Sequence, residues 1–152
     1  MRIQRNGLTL IEAVVAMAIL AVATLGALAY AFHGAKQIKI AHAELAAART
    51  GQLLLEDWKS TGADDAYDPT AIGMGFLAVT GTPGNYITTV DGINFFITLS
   101  PRTQIGAVGP FSGIILYQIT VTLRWRADFT AANVGPSDPI ATFTTYVRQN
   151  TN

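Results

Sequence analysis

The feature that most constrains this chain is a stretch of twenty residues without a charge, residues 13–32. A helix rises about 1.5 Å per residue, so this stretch forms a helix of roughly 30 Å, which matches the hydrocarbon core of a bilayer. Arg2 and Arg5 precede it, and basic residues beside a membrane helix tend to stay in the cytoplasm. The sequence therefore predicts a membrane-spanning helix that sends the rest of the chain across the membrane.

A single carboxylate, Glu12, stands at the edge of this apolar helix. On insertion scales, placing an acidic residue at the middle of a membrane helix costs about 2.5–3.5 kcal/mol of insertion free energy. A group that neutralises Glu12 is therefore expected. One interpretation is local: a first-turn glutamate gains about 0.3–1 kcal/mol from the helix dipole, or the carboxylate lies among lipid headgroups. The residues around Glu12 suggest a different interpretation.

Residues 7–12, Gly-Leu-Thr-Leu-Ile-Glu, follow a short basic leader. This string resembles the prepilin signal of the type IV pilin and pseudopilin family, in which a glycine precedes an apolar helix whose fifth residue is glutamate. The resemblance covers roughly the first third of the chain and is only architectural beyond Ser60. It implies cleavage between Gly7 and Leu8 by a membrane prepilin peptidase, N-methylation of the new amine, and pairing of Glu12 with a neighbouring subunit's amino terminus.

The chemistry of these residues suits that processing. An opposite charge nearby keeps the Leu8 amine protonated, and Gly7, which has no Cβ, leaves the backbone accessible to a protease. The chain departs from the commonest family pattern because Leu8 stands where phenylalanine is usual and no proline precedes Pro69. Only Gly26 and Gly34 could weaken the apolar stretch, so a continuous helix is expected.

The resemblance also implies partners and a location. The partners of the chain would be prepilin peptidase, other pilin or pseudopilin subunits in a homo- or hetero-oligomeric filament, an inner-membrane assembly platform, and membrane lipid before assembly. The chain would cross the inner membrane once, with its head outside the cytoplasm, and then enter a pilus or a periplasmic pseudopilus. The C-terminal strand pair is similar to that of minor pilins and type II secretion pseudopilins, and a major subunit stays possible.

Three alternatives remain open at the level of sequence. An ordinary secretory signal peptide could be cut at the small-x-small site of residues 29–31, releasing a soluble exported protein that starts at Phe32. Glu12 would interrupt the apolar region that such a signal needs. The helix could instead tether an exported binding module, or the chain could be a plain single-pass membrane protein with no role in a filament.

The chain is expected to comprise a cleaved leader (1–7), a long helix (8–60) and a head (61–152) that begins with a loop at 61–85. The second half of the helix is amphipathic, and its stripe should pack on the sheet of the head. The stripe residues are Ile38, Ala41, Leu45, Ala48, Leu55 and Trp58.

Alternating apolar and polar residues predict about four antiparallel strands in the head. These strands are predicted at residues 86–90, 93–99, 117–125 and 140–148. Asp91-Gly92 is a strong signal for a two-residue hairpin turn between the first two, and the last two should pair. The apolar set of the third strand should face the helix. One long helix on an antiparallel sheet is an α+β fold.

Composition argues against other classes of function. Ten basic and ten acidic residues are spread thinly, so nucleic acid is not expected as a principal partner, and the absence of cysteine excludes disulfides and thiolate sites. His33 and His42 lie too far apart for one ligand face, and the acidic turn of Asp64, Asp65 and Asp68 lacks the spacing of an EF-hand. Neither metal, cofactor nor catalytic residue is predicted, and the chain is not expected to be an enzyme.

Overall fold

The computed structural model describes residues 9–107, 114–126, 135 and 137–150. One long helix is followed by a short 3₁₀ helix and a five-stranded sheet, which confirms the α+β class. The elements are α1 (Leu10–Ser60), the 3₁₀ helix (Pro69–Ile72), β1 (Leu77–Ala78), β2 (Asn85–Val90), β3 (Ile93–Ala107), β4 (Ile114–Trp125) and β5 (Ile140–Asn150).

The chain divides into two compact units, with the boundary between Ala41 and His42. In the first unit α1 is continuous through Gly26 and Gly34, as expected for an apolar helix without proline. Among the described residues, α1 is the one helix that is long and apolar enough to cross a membrane, and none of its most apolar window is buried. This segment is therefore not a core helix of the folded chain.

The second unit holds the end of α1, which is closed by a Schellman motif. The backbone N–H of Ala63 donates to the carbonyl of Trp58, and that of Gly62 donates to the carbonyl of Lys59, both at 3.0 Å. Gly62 has a φ of 74°, the left-handed conformation that this motif requires at its turning residue. The Trp58 indole and Ala63 are both buried, so the turn also anchors the helix end in the core.

Small residues dominate the face of α1 that packs on the sheet. The buried helix residues are Ala43, Ala46, Ala47, Thr50, Gly51, Leu54 and Trp58. The predicted stripe is right at Trp58 and at the partly buried Leu55, but wrong at Ile38, Ala41 and Leu45, which are exposed. The helix lies so close to β5 that a Cβ on Gly51 would overlap the ring of Phe143. Small helix residues thus meet large sheet side chains along much of the interface, while Leu54 and Trp58 are the large side chains that α1 contributes to the core.

The five strands run in the order β1-β2-β3-β4-β5, and every neighbouring pair is antiparallel. The predicted hairpin is confirmed: Asp91 and Gly92 have φ values of 53° and 76°, and Val90 pairs with Ile93. The two-residue β1 was not predicted and falls in the segment expected to be a loop. β3 also runs past its predicted end at Leu99, because register shifts near Pro101 accommodate a residue that cannot donate to a ladder.

The core lies between α1 and the inner faces of β3 and β4. Its largest fully buried side chains include Phe95, Leu54, Ile97, Ile119 and Leu123. Phe95 meets Trp125 edge to face, with ring centroids 5.8 Å apart. The predicted orientation of β4 is confirmed, since its apolar residues from Ile119 onward are buried, and β5 pairs with β4 as expected.

Candidate functional site at the start of the long helix

Thr9 is the N-cap of α1, and Glu12 completes a capping box with it. The Thr9 N–H donates to Glu12 Oε2 at 3.2 Å, and the Glu12 N–H donates to Thr9 Oγ1 at 3.4 Å. The first intrahelical bond runs from the Ala13 N–H to the Thr9 carbonyl at 3.1 Å. Two amides that a helix start leaves unpaired are thus satisfied reciprocally.

A third contact fixes the carboxylate itself, because the Thr9 hydroxyl also lies 3.2 Å from Glu12 Oε2, at hydrogen-bonding distance. Both side chains are exposed, so the carboxylate is held at the helix end and stays accessible to another molecule. Within the single chain, Glu12 therefore stabilises the first turn of α1 as part of a capping box. Thr9 was not predicted as a site residue, although the spacing Thr-x-x-Glu is a known capping signal.

The carboxylate is surrounded by exposed apolar side chains on the same helix. Leu10 is 87% exposed and Ile11 is 73% exposed, and large apolar residues remain exposed along α1 as far as Phe32. A patch of this extent marks a surface that is covered by lipid or by other protein chains. The predicted processing residues Gly7 and Leu8 lie outside the described residues, so the pairing of Glu12 with a Leu8 amine stays a prediction.

The three aspartates considered for an ion have structural roles in the turn after α1. Asp64 Oδ1 accepts from the Ala66 N–H at 3.2 Å, and Asp68 Oδ1 caps the 3₁₀ helix by accepting from the Thr70 N–H at 3.0 Å. Asp65 forms an ion pair with Arg102 (Nε to Oδ2, 2.9 Å). Within the described part of the chain, no group of three or more histidine, aspartate and glutamate side chains could hold a metal ion.

Arg102 joins this turn to the sheet. Besides its ion pair, it donates through Nη1 to the carbonyl of Ala63 at 3.1 Å, and its guanidinium carbon lies 4.4 Å from the centroid of the Tyr117 ring. On a neighbouring part of the sheet, Gln149 Nε2 donates to the Gly62 carbonyl. The turn that ends α1 is therefore held by polar contacts from β3 and β5.

An aromatic cleft of about 460 Å³ lies beside this turn, lined by residues that include Trp58, Tyr67 and Tyr86. The rings of Trp58 and Tyr67 are stacked, with centroids 5.4 Å apart. Burial, and next the neighbouring carboxylate of Asp57, raises the pKa of Tyr67; burial and then the charge of Asp68 raises the pKa of Tyr86. Both phenols are therefore neutral near pH 7, so neither tyrosine is an activated nucleophile.

Comparison with known proteins adds one finding. Residues 2–28 match a family model described as the prokaryotic N-terminal methylation motif. Neither a curated protein nor a solved structure shows significant similarity to the chain.

The matched motif is the prepilin signal of type IV pilins and pseudopilins, and it covers the basic leader, the capping box and most of the apolar helix. The chain therefore carries, at its N-terminus, a processing signal of the kind found in type IV pilins. This signal is a structural motif and not an enzymatic one, and with the exposed apolar helix it fits a subunit anchored in the inner membrane with its head outside.

Proposed function

We propose that this chain is a structural subunit of a type IV pilus-like or type II secretion pseudopilus filament, and that it has no catalytic activity of its own. Prepilin peptidase cuts it between Gly7 and Leu8 and methylates the new amine. Other subunits and an inner-membrane assembly platform are its later partners. The observation that carries the proposal is a methylation motif on a helix whose apolar surface is exposed.

In the filament, Glu12 pairs with the Leu8 amine of a neighbouring subunit. The capping box holds the carboxylate at the helix end, where Thr9 orients it while leaving it exposed. An unpaired charge in an apolar surrounding is costly, and a partner of opposite charge offsets that cost for both groups. A subunit docked in the wrong axial register would leave both charges unpaired, so this contact selects the register.

Cleavage prepares the subunit for leaving the bilayer. The leader contains Arg2 and Arg5, two charges that would have to cross the apolar core if the intact chain were extracted toward the outside. Once the leader is removed, the helix can exchange lipid contacts for contacts with other helices. Van der Waals packing and small residues, which allow helices to approach closely, favour this exchange. We expect Gly7→Val to leave full-length precursor in the membrane, measured by immunoblot and intact mass.

Two substitutions separate the local role of Glu12 from its proposed intermolecular role. Glutamine can replace glutamate in a capping box, so Glu12→Gln keeps the helix cap but removes the charge. Thr9→Val has the opposite effect: it removes the hydroxyl contacts, costing about 0.5–2 kcal/mol at the helix end, and retains the carboxylate. The readout is the fraction of tagged subunit in sheared filaments, relative to the membrane fraction of the native host.

Glu12→Ala removes both the cap and the charge, so we expect it to be poorly incorporated. We expect Glu12→Gln to be incorporated equally poorly, while Thr9→Val is incorporated at a reduced but measurable level. Mass spectrometry of each variant verifies that cleavage after Gly7 still occurs, so that a processing defect is not mistaken for an assembly defect. Normal incorporation of Glu12→Gln, together with failure of Thr9→Val, would show that Glu12 acts only as a helix cap.

A further inference from the structure

The outer face of the sheet, which is turned away from α1, carries two rows of hydroxyl side chains. The strand register places Thr98, Thr122 and Thr142 side by side on β3, β4 and β5. The next row, two residues further along each strand, consists of Ser100, Thr120 and Thr144. We call these six residues the hydroxyl face.

The hydroxyl face forms a regular grid of groups that can each donate and accept a hydrogen bond. Neighbouring strands lie about 4.8 Å apart and residues two apart on one strand lie about 6.8 Å apart, which fixes the spacing of the grid. Thr120 and Thr144 are already joined by a hydrogen bond of 3.1 Å between their Oγ1 atoms, and Thr142 and Thr144 are exposed. Strand preference favours β-branched residues here and exposure to solvent favours polar ones, so it is the flanking groups that mark a binding face.

Aromatic rings and guanidinium groups flank the hydroxyl face. Tyr146, 54% exposed, follows Thr144 on the outer side of β5, and Phe96 precedes Thr98 on β3. Arg124 lies beside Phe96 in the strand register, and Arg148 lies beyond Tyr146 near the other end of β5. Neither arginine forms an ion pair within the described part of the chain.

The outer side of the sheet differs in charge from the rest of the head. No residue on the outer side of the described strands β2 to β5 is acidic, as the register and the sequence together show. Among the described residues, the acidic side chains lie on α1, in the turn after it, at Asp91 in the hairpin and at Asp138 before β5. The hydroxyl face therefore presents hydroxyl groups flanked by aromatic rings and positive charge, with no acidic side chain on this side of the described strands.

We propose that the hydroxyl face binds an acidic polysaccharide built of uronic acid units. Hydroxyl groups of the face pair with sugar hydroxyls, Tyr146 stacks on the apolar face of a sugar ring, and Arg124 and Arg148 take carboxylates, which guanidinium groups bind bidentately. Arg124 pairs with Ile140 in the register, so Arg124 and Arg148 are separated by about eight residues along the strand direction, and a polymer that reaches both must follow the strands. Nucleic acid is the competing polyanion, and comparison with DNA in the test distinguishes it. The proposal does not depend on assembly into a filament.

The test measures binding of the full-length protein in detergent micelles to immobilised sodium alginate, with neutral dextran and double-stranded DNA as comparisons. Arg124→Gln with Arg148→Gln should weaken alginate binding at least about tenfold, since each lost charge-assisted contact is a strong one. Thr142→Val with Thr144→Val should weaken it about fivefold while keeping strand preference. The matched control, Arg49→Gln with Lys59→Gln, removes two exposed positive charges from α1.

We expect alginate to bind, dextran and DNA to bind at least tenfold more weakly, and the control variant to bind alginate like the wild type. Absence of alginate binding would overturn the proposal, and so would equal weakening in the control, which would indicate unspecific charge attraction. DNA binding as tight as alginate binding would also overturn it in favour of a polyanion site. The double threonine variant leaves the charge unchanged. Weaker alginate binding by this variant would therefore show that the hydroxyl groups contribute to binding in addition to the arginines.

Discussion

Gly51→Ala tests the close approach of α1 to β5. Alanine is a better helix former than glycine by about 1 kcal/mol, so on propensity alone the change should stabilise the protein. The added methyl group, however, would overlap the Phe143 ring, and overpacking of a core costs about 1–3 kcal/mol. We expect a net loss of about 1 kcal/mol in the free energy of unfolding.

The decisive comparison repeats the change without the ring. In a Phe143→Ala background the overlap is gone, so Gly51→Ala should become stabilising by about 1 kcal/mol. Both tryptophans, Trp58 and Trp125, lie in the core of the head, so their fluorescence in urea reports its unfolding. If Gly51→Ala stabilises the wild type and the Phe143→Ala background equally, α1 does not approach β5 as closely as described.

Three further predictions concern the head. Arg102→Gln should lower the free energy of unfolding by about 1–2 kcal/mol in urea melts. Asp65 is 61% exposed, so the ion pair contributes little, and much of the loss comes from the contacts of Arg102 with the Ala63 carbonyl and the Tyr117 ring. Gly92→Ala should cost about 1–2 kcal/mol by forcing a side chain into positive φ, whereas Asp91→Gly should be tolerated; thermal melts of both check this. The raised pKa of Tyr67 contributes stability that is present below about pH 10 and is lost above it, so Tyr67→Phe should flatten the alkaline fall in a series of melts.

Much of the fold could be predicted because local patterns and tertiary packing agree. The Asp91-Gly92 turn needs two positive φ angles, and the sequence there favours both. Apolar and polar residues alternate strictly from Tyr117 to Trp125, so the buried face of this part of β4 could be assigned from Ile119 onward. α1 could be recognised because it contains no proline and few glycines.

The helix face toward the sheet could be predicted only near its end, at Leu55 and Trp58, because the periodic pattern gives weight to large apolar residues. The interface instead uses small residues such as Ala47 and Gly51, and their burial depends on large side chains from strands far away in sequence. The extension of β3 past Pro101 depends likewise on a register shift that has no local signal. Both features are decided by tertiary contacts.

At the candidate site, the sequence identified Glu12 but not how it is held. The spacing of Thr9 and Glu12 is that of a capping box, whereas the prepilin resemblance predicts a partner for Glu12 on another molecule. The hydroxyl face could not be predicted for another reason. Its rows join residues of three strands, and only the strand register shows that these residues are neighbours. Contacts within one turn can be predicted from sequence, whereas contacts across strands need the pairing.

The measurement that tests the central claim most directly is N-terminal and intact mass spectrometry of the protein purified from its native host. The processed subunit proposed here predicts a chain that begins at Leu8 with a methylated α-amine. A chain that begins at Phe32 would mean ordinary secretion of a soluble protein, and an intact Met1 would leave only a membrane-anchored domain. Either of those two results would contradict processing as a pilin-like subunit.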